Sequence, residues 1–285
     1  MTVAFRIIPR LDIKGPNLVK GINLEGLRVL GKPEEFAKYY YANGADELIY
    51  QDVVASLYGR NSLYDIISKT AQEIFIPLTV GGGIKNIDDI SHILRSGADK
   101  VCINTAAINN PTFISDASKE FGSSTIVIGI EAILQNNGEY LAFTDNGRNE
   151  TNKNVIEWCR EAENLGAGEI LITSVDAEGT GKGCDLELIS QILDNVSIPV
   201  VAHGGVGSKE DVLSTIQLDQ LSGIAISSLF HYDYIVHNRN LDGYESEGNT
   251  EFLKSKKTLS SIDEIDIKCL KSYLSTNGVT LRIES

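Results

Sequence analysis

The chain is short of several things. Among its 285 residues are four cysteines, and Cys102, Cys159, Cys184 and Cys269 form neither a CxxC pair nor a zinc-like spacing. That argues against a disulfide framework or a zinc module and leaves reduced thiols, as expected of a cytoplasmic protein. Basic residues are few, 25 Lys and Arg against 39 Asp and Glu, giving a formal net charge of −14. Such a chain repels a phosphate backbone and is not expected to bind nucleic acid. A small phosphorylated ligand is compatible with it, because backbone N–H groups hold phosphate locally. No run approaches the ~20 apolar residues a membrane helix needs. The opening MTVAFRIIPR also lacks the long apolar core of a secretory leader. No His/Cys/Asp cluster has ligand spacing, so no metal and no other cofactor is implied.

What is present is a regular alternation. Eight β-branched runs stand out: FRIIP, ELIYQDV, FIPLTV, KVCIN, STIVIGIE, EILITSV, IPVVAHG and GIAISSL. Most are continuous apolar runs, which suits strands buried on both faces of a parallel sheet. Between them lie helical patterns such as PEEFAKYYYANG, NIDDISHILRSG and SKEDVLSTIQLDQL, with capping residues before several and glycine after several. Strict alternation fits a doubly wound open sheet or a (β/α)8 TIM barrel. An internal repeat favours the barrel: NGADELIYQDV resembles LGAGEILITSVD, and IPLTVGGGI resembles IPVVAHGGV, both at an offset of 122 residues. The expectation is one barrel over 1–285 built from two half-barrels. A polar insertion at 236–262 follows the eighth strand and reads either as a lid or partner-binding loop or as a disordered insertion.

The repeat pairs two acids. Asp12 ends the first strand and Glu131 the fifth, so the fold sets them facing each other across one mouth, where barrel active sites lie. Two such carboxylates can divide general acid and general base duties. Gly81–Gly83 and Gly204–Gly205 each follow a strand and open a helix, and Asn104, Thr105, Ser227 and Ser228 end the strands that come next. Each half therefore offers glycine N–H groups and small polar side chains, a phosphate-sized anion site, and DAEGTGKG after Val175 adds donors near the second. A substrate with a phosphate at each end is the natural inference. Arg6, Glu47, Lys100 and Glu169 sit at strand starts and gather at the opposite end. They read either as a structural salt-bridge ring or as a gate on an entrance.

These residues bring a family into view. LDIKG, LVKG, GADELIYQDV, FIPLTVGGGI, GADKVCINTAA, NPTFI, GAGEILITSVD and IPVVAHGGVG together resemble the cyclase subunit of imidazole glycerol-phosphate synthase. The resemblance implies a barrel that pairs with a glutaminase subunit as a heterodimer and takes ammonia through its interior. It implies a ribulosyl aminoimidazole-carboxamide nucleotide with two phosphates as substrate. By position, Asp12 and Glu131 match the catalytic pair, and Lys20 matches a lysine of the mobile first loop. Gly83, Asn104 and Thr105 match one phosphate site; Asp176, Gly179, Gly205 and Ser228 match the other. Arg6, Glu47, Lys100 and Glu169 match the gate, and Asp99 a residue facing the glutaminase. There are departures: Glu131 stands for an aspartate, Arg10 for a small residue, His203 for a serine, and Gly15–Pro16 stiffens the first loop. With PRLDIKG and VVASLYGRN they also resemble a paralogous branch that supplies ammonia to a third protein, an amidotransferase of acetamidino-sugar biosynthesis.

Overall fold

The computed structural model describes residues 4–54, 64–238 and 262–282. Eight parallel strands close into a barrel: β1 (Arg6–Lys14), β4 (Leu48–Asp52), β5 (Leu78–Gly81), β6 (Lys100–Ile103), β7 (Ile126–Leu134), β10 (Glu169–Ser174), β11 (Val200–His203) and β12 (Gly223–Ile226). Each pairs with the next, and the ring closes through β12 on β1 and β10 on β7. These eight coincide with the eight β-branched runs, and the alternating helices wrap them. Among the described residues the α-helices are α1 (Pro33–Ala42), α2 (Tyr64–Ala71), α3 (Ile87–Arg95), α4 (Thr105–Asn109), α5 (Thr112–Phe121), α6 (Val155–Asn164), α7 (Leu186–Leu193), α8 (Lys209–Ile216), α9 (Ser228–His237) and α10 (Ile267–Thr276). The polar segment expected at 236–262 lies, from 239 to 261, outside the described residues; 236 and 237 belong to α9.

Successive strand residues point to opposite faces. On β1, Ile7, Leu11 and Ile13 face the helices and are fully buried in the outer core. The alternate positions line the barrel interior, where Ile8, Ile49, Cys102, Val127, Leu171, Val201 and Ala225 form a separate apolar layer. Above it lies a polar layer that includes Arg10, Thr173 and His203, and below it a ring of charge.

Two antiparallel hairpins were not anticipated. β1 continues through a turn with a cis Gly15–Pro16 bond into β2 (Asn17–Ile22) and β3 (Glu25–Gly31); β7 continues into β8 (Tyr140–Thr144) and β9 (Asn149–Asn154). Each half-barrel thus carries one hairpin directly after the strand that bears its acid. The first hairpin reaches across the mouth. Asn23 Nδ2 donates to the Val175 carbonyl at 2.8 Å, and Leu24 N–H donates to Glu178 Oε2 at 3.0 Å. Asn146 Nδ2, from the turn of the second hairpin, donates to the Leu24 carbonyl at 2.8 Å.

Candidate active site

The 122-residue repeat is written into the backbone. Gly82 and Gly204 have φ of +101° and +105°, a region closed to most side chains. A Cβ on Gly82 would collide with the Asp52 carbonyl, and one on Gly204 with the Ser174 carbonyl. Four residues on, Asn86 and Ser208 form matching capping boxes with Asp89 and Asp211. In the helices that follow the glycines, α3 and α8, the caps engage the N–H groups of Asp89 and Asp211. The glycine turns and the starts of α4 and α9 border the same spaces. The N-caps there, Asn104 (φ −121°, ψ −87°) and Ser227 (φ −112°, ψ −77°), share one unusual conformation and make no side-chain cap bond.

The two halves differ in room. Gly82, Gly83, Asn104 and Thr105 line a cavity of about 500 Å³, together with Arg10, Gln51, Asp52, Glu131, Asp145 and Thr173. Around Gly179, Gly204, Gly205, Ser227 and Ser228 the space is only about 10 Å³. There Lys20 pairs with Glu178 in a fully buried ion pair, and the Gly183 N–H donates to the Gly205 carbonyl at 2.9 Å. Asp176 does not line either space: it is exposed, and its Oδ2 accepts from the Leu134 N–H at 2.9 Å.

Both acids stand at the mouth. Asp12 is buried and accepts from Arg10 Nε at 2.9 Å; Arg10 Nη1 in turn donates to Thr173 Oγ1 at 3.0 Å. Glu131 is half-buried at the cavity wall and accepts from the Gly147 N–H, in the second hairpin's turn, at 2.8 Å. Burial pushes its carboxyl up to about 7, against the Gly147 N–H, the Arg10 charge and the Asn104 amide, which favour the anion. His203 is held neutral: burial, with the charges of Arg10 and Lys20, takes it well below the usual imidazole range. Its Nδ1 is 2.9 Å from the Ala225 carbonyl, so in the neutral ring Nδ1–H donates and Nε2 is a buried acceptor without a protein partner.

At the opposite end, Arg6 donates to Glu47 at 2.9 Å and to Glu169 at 2.5 Å, and Lys100 donates to Glu169 at 2.8 Å. Lys100 is also 3.1 Å from Glu47. Burial opposes the Glu169 charge, yet Arg6 and Lys100 outweigh it and hold this carboxyl below its ordinary range. The ring borders a cavity of about 590 Å³ lined by Arg6, Lys100, Glu169 and Ser222. On the same face Asp99 is exposed, accepts from the Leu78 N–H at 2.8 Å and lies beside Phe75, which is 80% exposed.

Residues 6–236 match the Histidine biosynthesis protein family. The chain belongs to this family. It is 60% identical over 206 residues to "Imidazole glycerol phosphate synthase subunit HisF" of Legionella pneumophila, spanning 72% of this chain and 97% of that one. It is 44% identical over 230 residues to the protein of the same name in Bacillus cereus (strain G9842), spanning 81% and 91%. The 122-residue repeat of this chain accounts for the paired glycines and caps. The sequence did not point to Glu178 or Thr173, because their partners, Lys20 and Arg10, lie 158 and 163 residues away in the chain. Among the described residues no group of His, Cys, Asp and Glu could hold a metal ion, and no helix is long and apolar enough to cross a membrane.

Proposed function

We propose that the chain is the cyclase subunit of an imidazole glycerol-phosphate synthase. It uses ammonia from a glutaminase to convert a bis-phosphorylated ribulosyl aminoimidazole-carboxamide nucleotide into imidazole glycerol phosphate and a carboxamide ribotide. The observation that carries the reading is that Asp12 and Glu131 lie toward the C-terminal ends of β1 and β7, with Glu131 in the wall of the cavity beside the first of the two repeat-related glycine turns. One phosphate of the substrate sits on Gly82, Gly83 and the start of α4. The other takes Gly179, Gly205 and the start of α9 once Lys20 turns from Glu178 toward it.

Ammonia addition and ring closure require protons to be taken and returned at several atoms. Glu131, with a carboxyl near 7, exchanges protons readily at neutral pH. Asp12, fixed by Arg10, is the second carboxylate. Ammonia enters at the charged ring of Arg6, Glu47, Lys100 and Glu169 and crosses the apolar layer of Ile8, Ile49, Val127, Leu171 and Val201. That layer favours neutral ammonia over ammonium, since an unpaired charge there is costly. Phe75 and Asp99 belong to the glutaminase-facing surface in this reading. Turnover of the nucleotide with excess ammonium at elevated pH, followed by loss of its absorbance, is the test. Asp12→Asn is expected to reduce it by about a hundredfold or more with the fold intact; undiminished turnover in that variant would sink the assignment.

A further inference from the structure

In the proposed chemistry Arg10 has the single part of holding Asp12. It precedes Asp12 by two residues on β1, so both side chains leave the same face of the strand. Its guanidinium is almost fully buried, at 3% exposure. Burying such a charge costs several kcal/mol unless it is well paired, and an apolar side chain of similar size is often the more stable choice. A guanidinium kept there points to work beyond packing.

Its contacts say what that work is. Nε donates to Asp12 Oδ1 at 2.9 Å, and Nη1 reaches across the barrel to Thr173 Oγ1 at 3.0 Å. Thr173 is the register partner of Glu131 in the β7–β10 pairing, and Arg10 and Glu131 line the same cavity. The acids acting on Arg10 are Asp12, Glu178 and Glu131; against burial, they raise its affinity for its proton. The groups facing Glu131 are Arg10 from β1, Asn104 from the end of β6, and the Gly147 N–H and Asp145 from the β8–β9 turn. Arg10 is the cation among these. Lys20 is committed to Glu178, and His203 and Cys102 beside Arg10 are kept uncharged by burial.

We propose that Arg10 is a positioning residue for the proton-transfer pair: anchored on Thr173, one guanidinium aims the Asp12 carboxylate into the mouth and sets a fixed positive charge facing Glu131. The inference rests on the cyclase reading for its catalytic consequence. Its electrostatic half can be measured without turnover.

The test uses the full chain as Arg10→Met, Arg10→Lys and Thr173→Val, with folding checked by circular dichroism. Ammonium-supplied turnover is measured against pH, and the Glu131 carboxyl is titrated by 13C NMR in the same proteins. Arg10→Met is expected to lower kcat about tenfold or more while KM for the nucleotide stays within about twofold. Its Glu131 midpoint rises by about one pH unit, because an opposing charge has gone. Arg10→Lys returns the midpoint toward the parent value but recovers only part of kcat, since a lysine keeps the charge and loses the fork. Thr173→Val lowers kcat several-fold by releasing the anchor. A Glu131 midpoint unmoved in Arg10→Met overturns the proposal, as does a Lys variant no better than Met. If Arg10→Met does not fold, an Arg10→Lys or Thr173→Val protein with parental kcat overturns it. If the parent itself turns over no nucleotide, the functional reading fails, and the NMR midpoints alone decide whether Arg10 governs Glu131.

Discussion

Lys20, on the first hairpin, and Glu178, in the loop after β10, form an ion pair with both side chains buried. The pair holds the hairpin down over the second glycine cradle. Glu178 Oε2 also accepts the Leu24 N–H at 3.0 Å, so one carboxylate secures both the hairpin's lysine and its tip.

In the proposed function, a phosphate arriving at Gly179 and Gly205 competes with Glu178 for Lys20. Glu178→Gln leaves that lysine without its counter-charge and is expected to destabilise the ligand-free protein by about 3 kcal/mol. Inorganic phosphate then supplies the missing anion. Its thermal upshift should be larger in Glu178→Gln than in the parent, measured by differential scanning fluorimetry at matched phosphate concentration. Equal upshifts would show that Lys20 does not serve the anion site.

Glu131 gives the stability curve a definite slope. Its carboxyl is raised from 4.5 to about 7 in the fold. Between those values the native state holds a proton that the unfolded chain has lost, so stability falls as pH rises through the window and is flat above it. The full penalty is at most about 3 kcal/mol, lessened by solvent that reaches the carboxyl through the cavity. Glu131→Gln has no such titration. Chemical denaturation at pH 5 and pH 8 should show the variant gaining on the parent at the higher pH. A constant difference would place the Glu131 carboxyl in its ordinary range.

Glu169 behaves in the opposite sense. Arg6 and Lys100 hold its carboxyl below 4.5, so its pairing stabilises the fold above the unfolded value and is lost as pH falls through the native one. Glu169→Gln is expected to cost on the order of 3 kcal/mol at pH 7, because two partly buried cations are left sharing Glu47. The gap between parent and variant should close as the pH is taken below 4.5. Thermal melts across that range check it; a gap independent of pH would mean that the loss is one of packing.

The eight barrel strands were legible because each is a compact β-branched run between helical patterns. The repeat was legible because Gly82 and Gly204 are needed wherever a strand turns this closely past its neighbour. The hairpins were harder. The first turns at Asn23–Leu24 with φ of +51° and +62°, and leucine is no turn signal. The second turns at Asp145–Asn146–Gly147, all at positive φ, and that stretch does carry hairpin turn chemistry. The acids, the glycines and the charged ring could be placed from the sequence because strand ends and strand starts fix their height in the barrel. Glu178 could not, since only the folded hairpin brings Lys20 to it.

The unequal space in the two halves, about 500 Å³ on one side and about 10 Å³ on the other, gives a symmetric scaffold a direction in time. In the proposed function, a ligand with two like ends meets one berth that admits it at once and one that must first be vacated by an internal rival. That reading makes capture ordered: the first end tethers, and the second waits for the hairpin to let go. The internal repeat would then supply two equivalent berths, and a single buried ion pair would make one of them the late step of a sequence.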